Sequence, residues 1–186
     1  KHYLASEWNI NKFTNNRFKN IKLNENASPI FSDKTYPIHK KDFLNSEILE
    51  DQTLLIFENN MTFEFSDFKE HKFKKILLVL NNTNRAIKLS EKVLKFKADL
   101  LKDQKVRLEE KSINCEIINI SDLKNIVENI YALYPAVGEN FDFIQNNNLK
   151  NIKFLYRKLD QFSWQYCNKG FFNFKNYIPK IIAKFN

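Results

Sequence analysis

"KKILLVLNNTNRAIKLSEKVLKFKADLLKDQKVRLEEKSINCEIINI", residues 74–120, decides the fold. It opens on two lysines and an unbroken apolar run, Ile76–Leu80. Such a run without alternation is what a strand buried on both faces requires. The period then changes. Ile87, Leu94, Leu101 and Leu108 recur every second helical turn, with Leu89, Val93, Phe96 and Leu100 beside them, and no Gly or Pro interrupts Thr83 to Lys111. That is a helical stripe, with Asn82 or Thr83 as its N-cap. "CEIINI" (115–120) returns to strand character. Strand 74–80, helix 83–111 and strand 115–120 together read as a βαβ unit, whose crossover makes the two strands parallel. A helix of that span would be about 42 Å long at 1.5 Å per residue. It must break near Asp103-Gln104 or project past the sheet, and projection is the reading adopted.

Working outward, "TLLIFE" (53–58) and "MTFEF" (61–65) flank Asn59-Asn60, and Met61, Phe63 and Phe65 alternate with polar residues. A two-residue turn between period-2 segments predicts a β-hairpin. Downstream, Ser121 is placed to cap a helix through "DLKNIVENIYAL", closed by Pro135 and Gly138. Leu149, Ile152, Leu155, Leu159, Phe162 and Tyr166 predict a further helix to about Asn168, with Gly170 at its end and Pro179 opening a last short helix. Residues 1–48 read as an irregular arm with a short helix in "YLASEWNINKF" and extended pieces at "SPIF" and "TYPI". The expected class is α/β (or α+β): one domain over 1–186, with an N-terminal arm (1–48), a core (49–148) whose small mixed sheet contains a β-hairpin and one βαβ unit, and a basic, aromatic helical segment (149–186).

The net charge of +8 carries little by itself. Lys (26), Asn (26), Ile (19) and Phe (18) dominate the 186 residues and Gly appears twice, the skew of an AT-rich coding sequence. The distribution is more informative. Residues 1–148 hold 22 basic against 21 acidic side chains, whereas residues 149–186 hold eight basic against one acidic, Asp160. Codon bias spreads lysines; it does not strip acids from one end.

Within that segment Lys169, Phe171, Phe172, Phe174, Lys175, Tyr177 and Lys180 interleave cations with rings off any clean helical period. The pattern suits an acidic protein partner with an aromatic anchor, single-stranded nucleic acid, or less well an anionic membrane surface. The bland alternative is a lid folded onto the core. A second candidate is the loop after strand 74–80, where Asn81, Asn82, Thr83 and Arg85, with Ser121, would line the carboxyl ends of the strands in a Rossmann-like nucleotide or sugar-phosphate binder. Glycine-rich phosphate motifs are absent from the chain.

Glu58, Glu64, Asp67 and Glu70 read as a solvated hairpin rim. His2, His39 and His71 stand singly, away from either Cys, so no metal site and no cofactor is expected. Cys115 and Cys167 are expected as small buried residues rather than a disulfide. With no apolar run of membrane-spanning length, the expected compartment is the cytoplasm, allowing for a leader or anchor ahead of Lys1. The resulting expectation is a non-enzymatic binding or assembly module that docks an acidic partner through its C-terminal face. The nucleotide binder and a nucleic-acid-binding protein stand behind it.

Overall fold

Every strand lies parallel to its neighbours. The computed structural model describes residues 5–18, 20, 22–24, 47–61, 63–83 and 88–185, in two units, 1–41 and 42–186. The first contains helix α1 (Glu7–Phe13), whose N-cap Ser6 accepts the Asn9 N–H; this is the short helix read in "YLASEWNINKF". The extended pieces expected at 28–31 and 35–38 lie outside the described residues.

The second unit is built on strands β1 (Thr53–Phe57), β2 (Lys75–Leu80), β3 (Cys115–Asn119), β4 (Ile130–Leu133) and β5 (Ile152–Leu155) in the order β3-β2-β1-β4-β5. Register runs Leu54–Ile76 between β1 and β2, Leu54–Tyr131 between β1 and β4, and Ile76–Cys115 between β2 and β3. Alternate side chains of a strand face opposite sides, and both sides are covered. Leu54, Ile56, Ile76 and Leu78 pack with Leu101 and Leu108 of helix α2 (Glu91–Glu110) and with Phe63 and Phe68. Leu55, Phe57, Leu77 and Val79 pack with Ile120 and Leu123 and with Phe143 and Ile144 of helix α3 (Glu139–Asn146). Two-sided burial is why the central strands are continuously apolar. The α/β class follows, with the βαβ unit β2-α2-β3 in place.

The finer expectations need correction at several places. The sheet is parallel, not mixed, and the hairpin does not form: residues 63–65 make a 3₁₀ turn, with Phe63 buried and Phe65 exposed. Asn59 and Asn60 use their side-chain amides to bond the Pro135 and Tyr134 carbonyls past the end of β4. The long helix starts at Glu91, not near Thr83, and runs unbroken through Asp103-Gln104. Its 20 residues span about 30 Å, and Gln104 is held inside by Glu64 and Arg107.

Ser121 caps no long helix. A 3₁₀ stretch (Ile120–Asn125) gives way to β4, where Ile130–Leu133 are all buried. The spacing of Ile152 and Leu155, read as helical, belongs to edge strand β5. An odd separation puts these two on opposite faces of a strand, and here both faces are covered. Three helices follow: α4 (Lys158–Trp164), α5 (Phe171–Phe174) and α6 (Ile178–Phe185), with a 3₁₀ turn at Lys175–Tyr177. Pro179 lies in the first turn of α6 as read. Gly170, at φ +78°, precedes α5 instead of closing a helix. Among the described residues no helix is long and apolar enough to cross a membrane.

Candidate functional site

The strand order reverses between β1 and β4. The chain leaves β1 toward β2 on one side and leaves β4 toward β5 on the other. Connections that part in this way open a crevice at the carboxyl ends, where open α/β sheets bind their ligands. Here the crevice has a volume of about 210 Å³. Glu58, directly after β1, and Glu139 and Asn140, opening α3, stand on its wall with Lys97 of α2. Pro135 and Val137 add apolar surface. Gly138 sits at φ +137°, a conformation L side chains rarely adopt, and the turn into α3 depends on it.

The polar groups form one connected system. Glu58 has a side chain only 3% exposed and receives the Lys97 ammonium at 2.7 Å. The same ammonium lies 3.4 Å from Glu139. Asn140 donates to the second Glu58 oxygen at 3.5 Å and accepts from Asn81 at 2.9 Å. Lys97 thus lies between two carboxylates on the crevice wall. A buried carboxylate requires such partners, since an unpaired one is costly.

The structure brings one member of the sequence-read loop to this system. Asn81 is fully buried on Asn140, and its Oδ1 also accepts the Thr83 N–H. Asn82 and Thr83 are exposed, and Ser121, two residues past β3, is exposed at the neighbouring strand end. Arg85 lies outside the described residues. The acidic rim of the supposed hairpin is a further correction. Glu58 is buried, Glu64 meets Gln104 and Arg107 at 3.1 Å each, and Asp67 accepts the Lys158 N–H. Asp67 and Glu70 are nonetheless exposed, as the rim reading has them. Glu139 and Asn140 carried no sequence signal, and Lys97 was one of many helix lysines.

The C-terminal residues are divided. Trp164 packs on Tyr134 and Tyr156 with ring centroids 5.6 and 6.1 Å apart, tying α4 to the sheet edge. Burial raises the phenol pKa of both tyrosines. Tyr177 stacks on Tyr166 at 4.3 Å, and Phe174 lines a shallow apolar groove of about 360 Å³ with Leu159, Trp164, Ile178 and Ile181. Phe171 and Phe172, by contrast, are 65% and 79% exposed. Lys175 sits over the Phe172 ring and Lys180 over Tyr166, while Lys169 is solvent-exposed. Cys115 is a buried free thiol and Cys167 an exposed one, where both were expected inside.

No protein family, curated protein or solved structure matches this chain. Among the described residues no three His, Cys, Asp or Glu side chains converge in a way that could hold a metal ion.

Proposed function

We propose that the protein binds a small hydroxyl-rich molecule, a free sugar or polyol about one ring in size, in the crevice between β1 and β4. The observation that carries this reading is the buried Glu58 carboxylate, joined to the half-buried Lys97 and Glu139 and to Asn140, at the topological switch point. Carboxylates accept hydroxyl protons, the lysine and amide groups donate, and Pro135 and Val137 offer an apolar edge to a ring. Ligand cavities generally run about 300–1,000 Å³, so a crevice of 210 Å³ suits one ring rather than a dinucleotide.

The test is thermal unfolding of the intact chain in the presence of monosaccharides, polyols and sugar phosphates. A ligand at a hundredfold its Kd stabilises by about 2.7 kcal/mol. Neutral sugars or polyols should raise the Tm, and Glu58→Gln, which keeps shape but removes charge, should abolish the rise. An unchanged Tm across the panel, or an equal shift in the Gln variant, overturns the reading.

A second reading concerns the other end of the chain, where an acidic protein segment would dock on α5 and α6. What supports it is the exposure of Phe171 and Phe172 among Lys169, Lys175, Lys180 and Lys184, none of which has an ion-pair partner among the described residues. Nucleic acid is the weaker occupant. The rings of Tyr166, Tyr177 and Phe162 already face another ring or an ammonium group, leaving fewer faces for stacked bases.

A further inference from the structure

At the opposite edge of the sheet, beside the amino ends of β2 and β3, lies a second cavity of about 480 Å³. Its floor is apolar: half-buried Phe73 and Ile113 lie over Phe63 and Ile76, which are almost wholly buried, and the two rings meet edge to face at 6.2 Å. Its rim is cationic: Lys69, Lys72, Lys74 and Lys111. Glu70 is the one carboxylate lining it, a solvated side chain 4.0 Å from Lys69. Lys72, Lys74 and Lys111 have no ion-pair partner among the described residues. The neighbouring Lys75, in contrast, is neutralised by Glu116. The carboxyl end of α2 also points here, and its negative dipole would oppose an anion. That end is closed by its own chain, however: the Lys111, Ser112 and Ile113 N–H groups bond the Leu108 and Glu109 carbonyls.

We infer that this cavity binds a mononucleotide, the base lying against Phe73 and Ile113 and the phosphates among Lys72, Lys74 and Lys111. Three free ammonium groups around one opening favour a multiply charged anion, and lysine serves phosphate as a point charge. An apolar floor of this size gives a bare phosphate nothing to contact and gives a planar base a surface to cover. The cavity is independent of the β1–β4 crevice, with which it shares no lining residue and from which it lies at the other end of the strands.

Calorimetric titration of the intact chain with adenosine diphosphate, inorganic pyrophosphate and adenosine tests the assignment. Adenosine diphosphate should bind more tightly than either fragment, and its affinity should fall as salt screens the lysines. The double substitution Lys72→Glu, Lys74→Glu changes only exposed side chains and should raise the Kd about tenfold or more. Ile113→Ala, which shortens the floor without adding charge, should weaken the diphosphate but not pyrophosphate. Absence of diphosphate binding, equal affinity for pyrophosphate, or indifference to the lysine substitutions each overturns the inference. Glu58→Gln is the control: if it removes nucleotide binding, the nucleotide sits in the other crevice and the inference fails.

Discussion

Cys115 and Cys167 show how far position outweighs residue type. Cys115 opens β3 and faces the core, and its Sγ lies 3.6 Å from the Lys105 carbonyl. Burial, reinforced by the nearby Glu109 carboxylate, raises its thiol pKa. Cys167 follows α4 in an exposed turn and has no such cover. The thiolate is the reactive form, so at neutral pH a soluble disulfide reagent should modify Cys167 promptly and Cys115 slowly. The sign for Cys115 is fixed. A raised pKa keeps the folded thiol protonated, so stability it contributes is present below the unfolded thiol's pKa and declines as pH rises through the folded value. Its labelling should therefore accelerate only above the ordinary thiol range, about 8.5. Equal labelling rates in the native protein, followed by absorbance of the released thiol, would contradict the burial of β3.

At the scale of elements, α2 holds the sheet by few contacts. Leu101 and Leu108 are fully buried against β1 and β2, whereas Phe96, on the same helix, is 63% exposed. Replacing either leucine by alanine should cost about 2–5 kcal/mol in urea unfolding, and Phe96→Ala about 0.5 kcal/mol or less. A reversal of that order would mean that α2 presents its other face. The same helix marks what the sequence could reveal. β2, α2 and β3 were legible because each long pattern had one periodic solution. β4 and β5 were not, because four-residue strands with apolar residues three apart satisfy a helical stripe equally well. The hairpin failed for a related reason: alternation over five residues cannot exclude a 3₁₀ turn that buries Phe63 and releases Phe65. The crevice was half legible. Asn81 followed from its place after a buried strand, but Glu58, Lys97 and Asn140 come from three separate segments that only the strand order brings together.

For the whole molecule, the charge asymmetry resolves into two kinds of surface. Residues 149–186 carry eight basic side chains and one acidic one, and Asp160 is held by Arg157 at 2.7 Å. Part of the aromatic content serves the fold through Trp164 and Tyr156, so the segment is a lid as far as α4. Beyond Gly170 the lid reading weakens, since Phe171 and Phe172 project into solvent, and a solvated aromatic pair ringed by lysines that have no ion-pair partner among the described residues suits an interface core with a cationic rim. A partner matching it would be an amphipathic acidic helix, its apolar side chains meeting Phe171, Phe172 and the groove at Phe174. A labelled peptide of that design should bind at low salt and weaken as salt rises. Phe171→Ser with Phe172→Ser should lower its affinity about tenfold or more, and Lys175→Glu with Lys180→Glu should act chiefly on the association rate. All four side chains are exposed, so the Tm should stay within the error of the parent protein and separate lost binding from lost structure. Binding of single-stranded oligothymidine or anionic vesicles, with none of the peptide, would assign the same lysines to phosphate and displace the protein-docking reading.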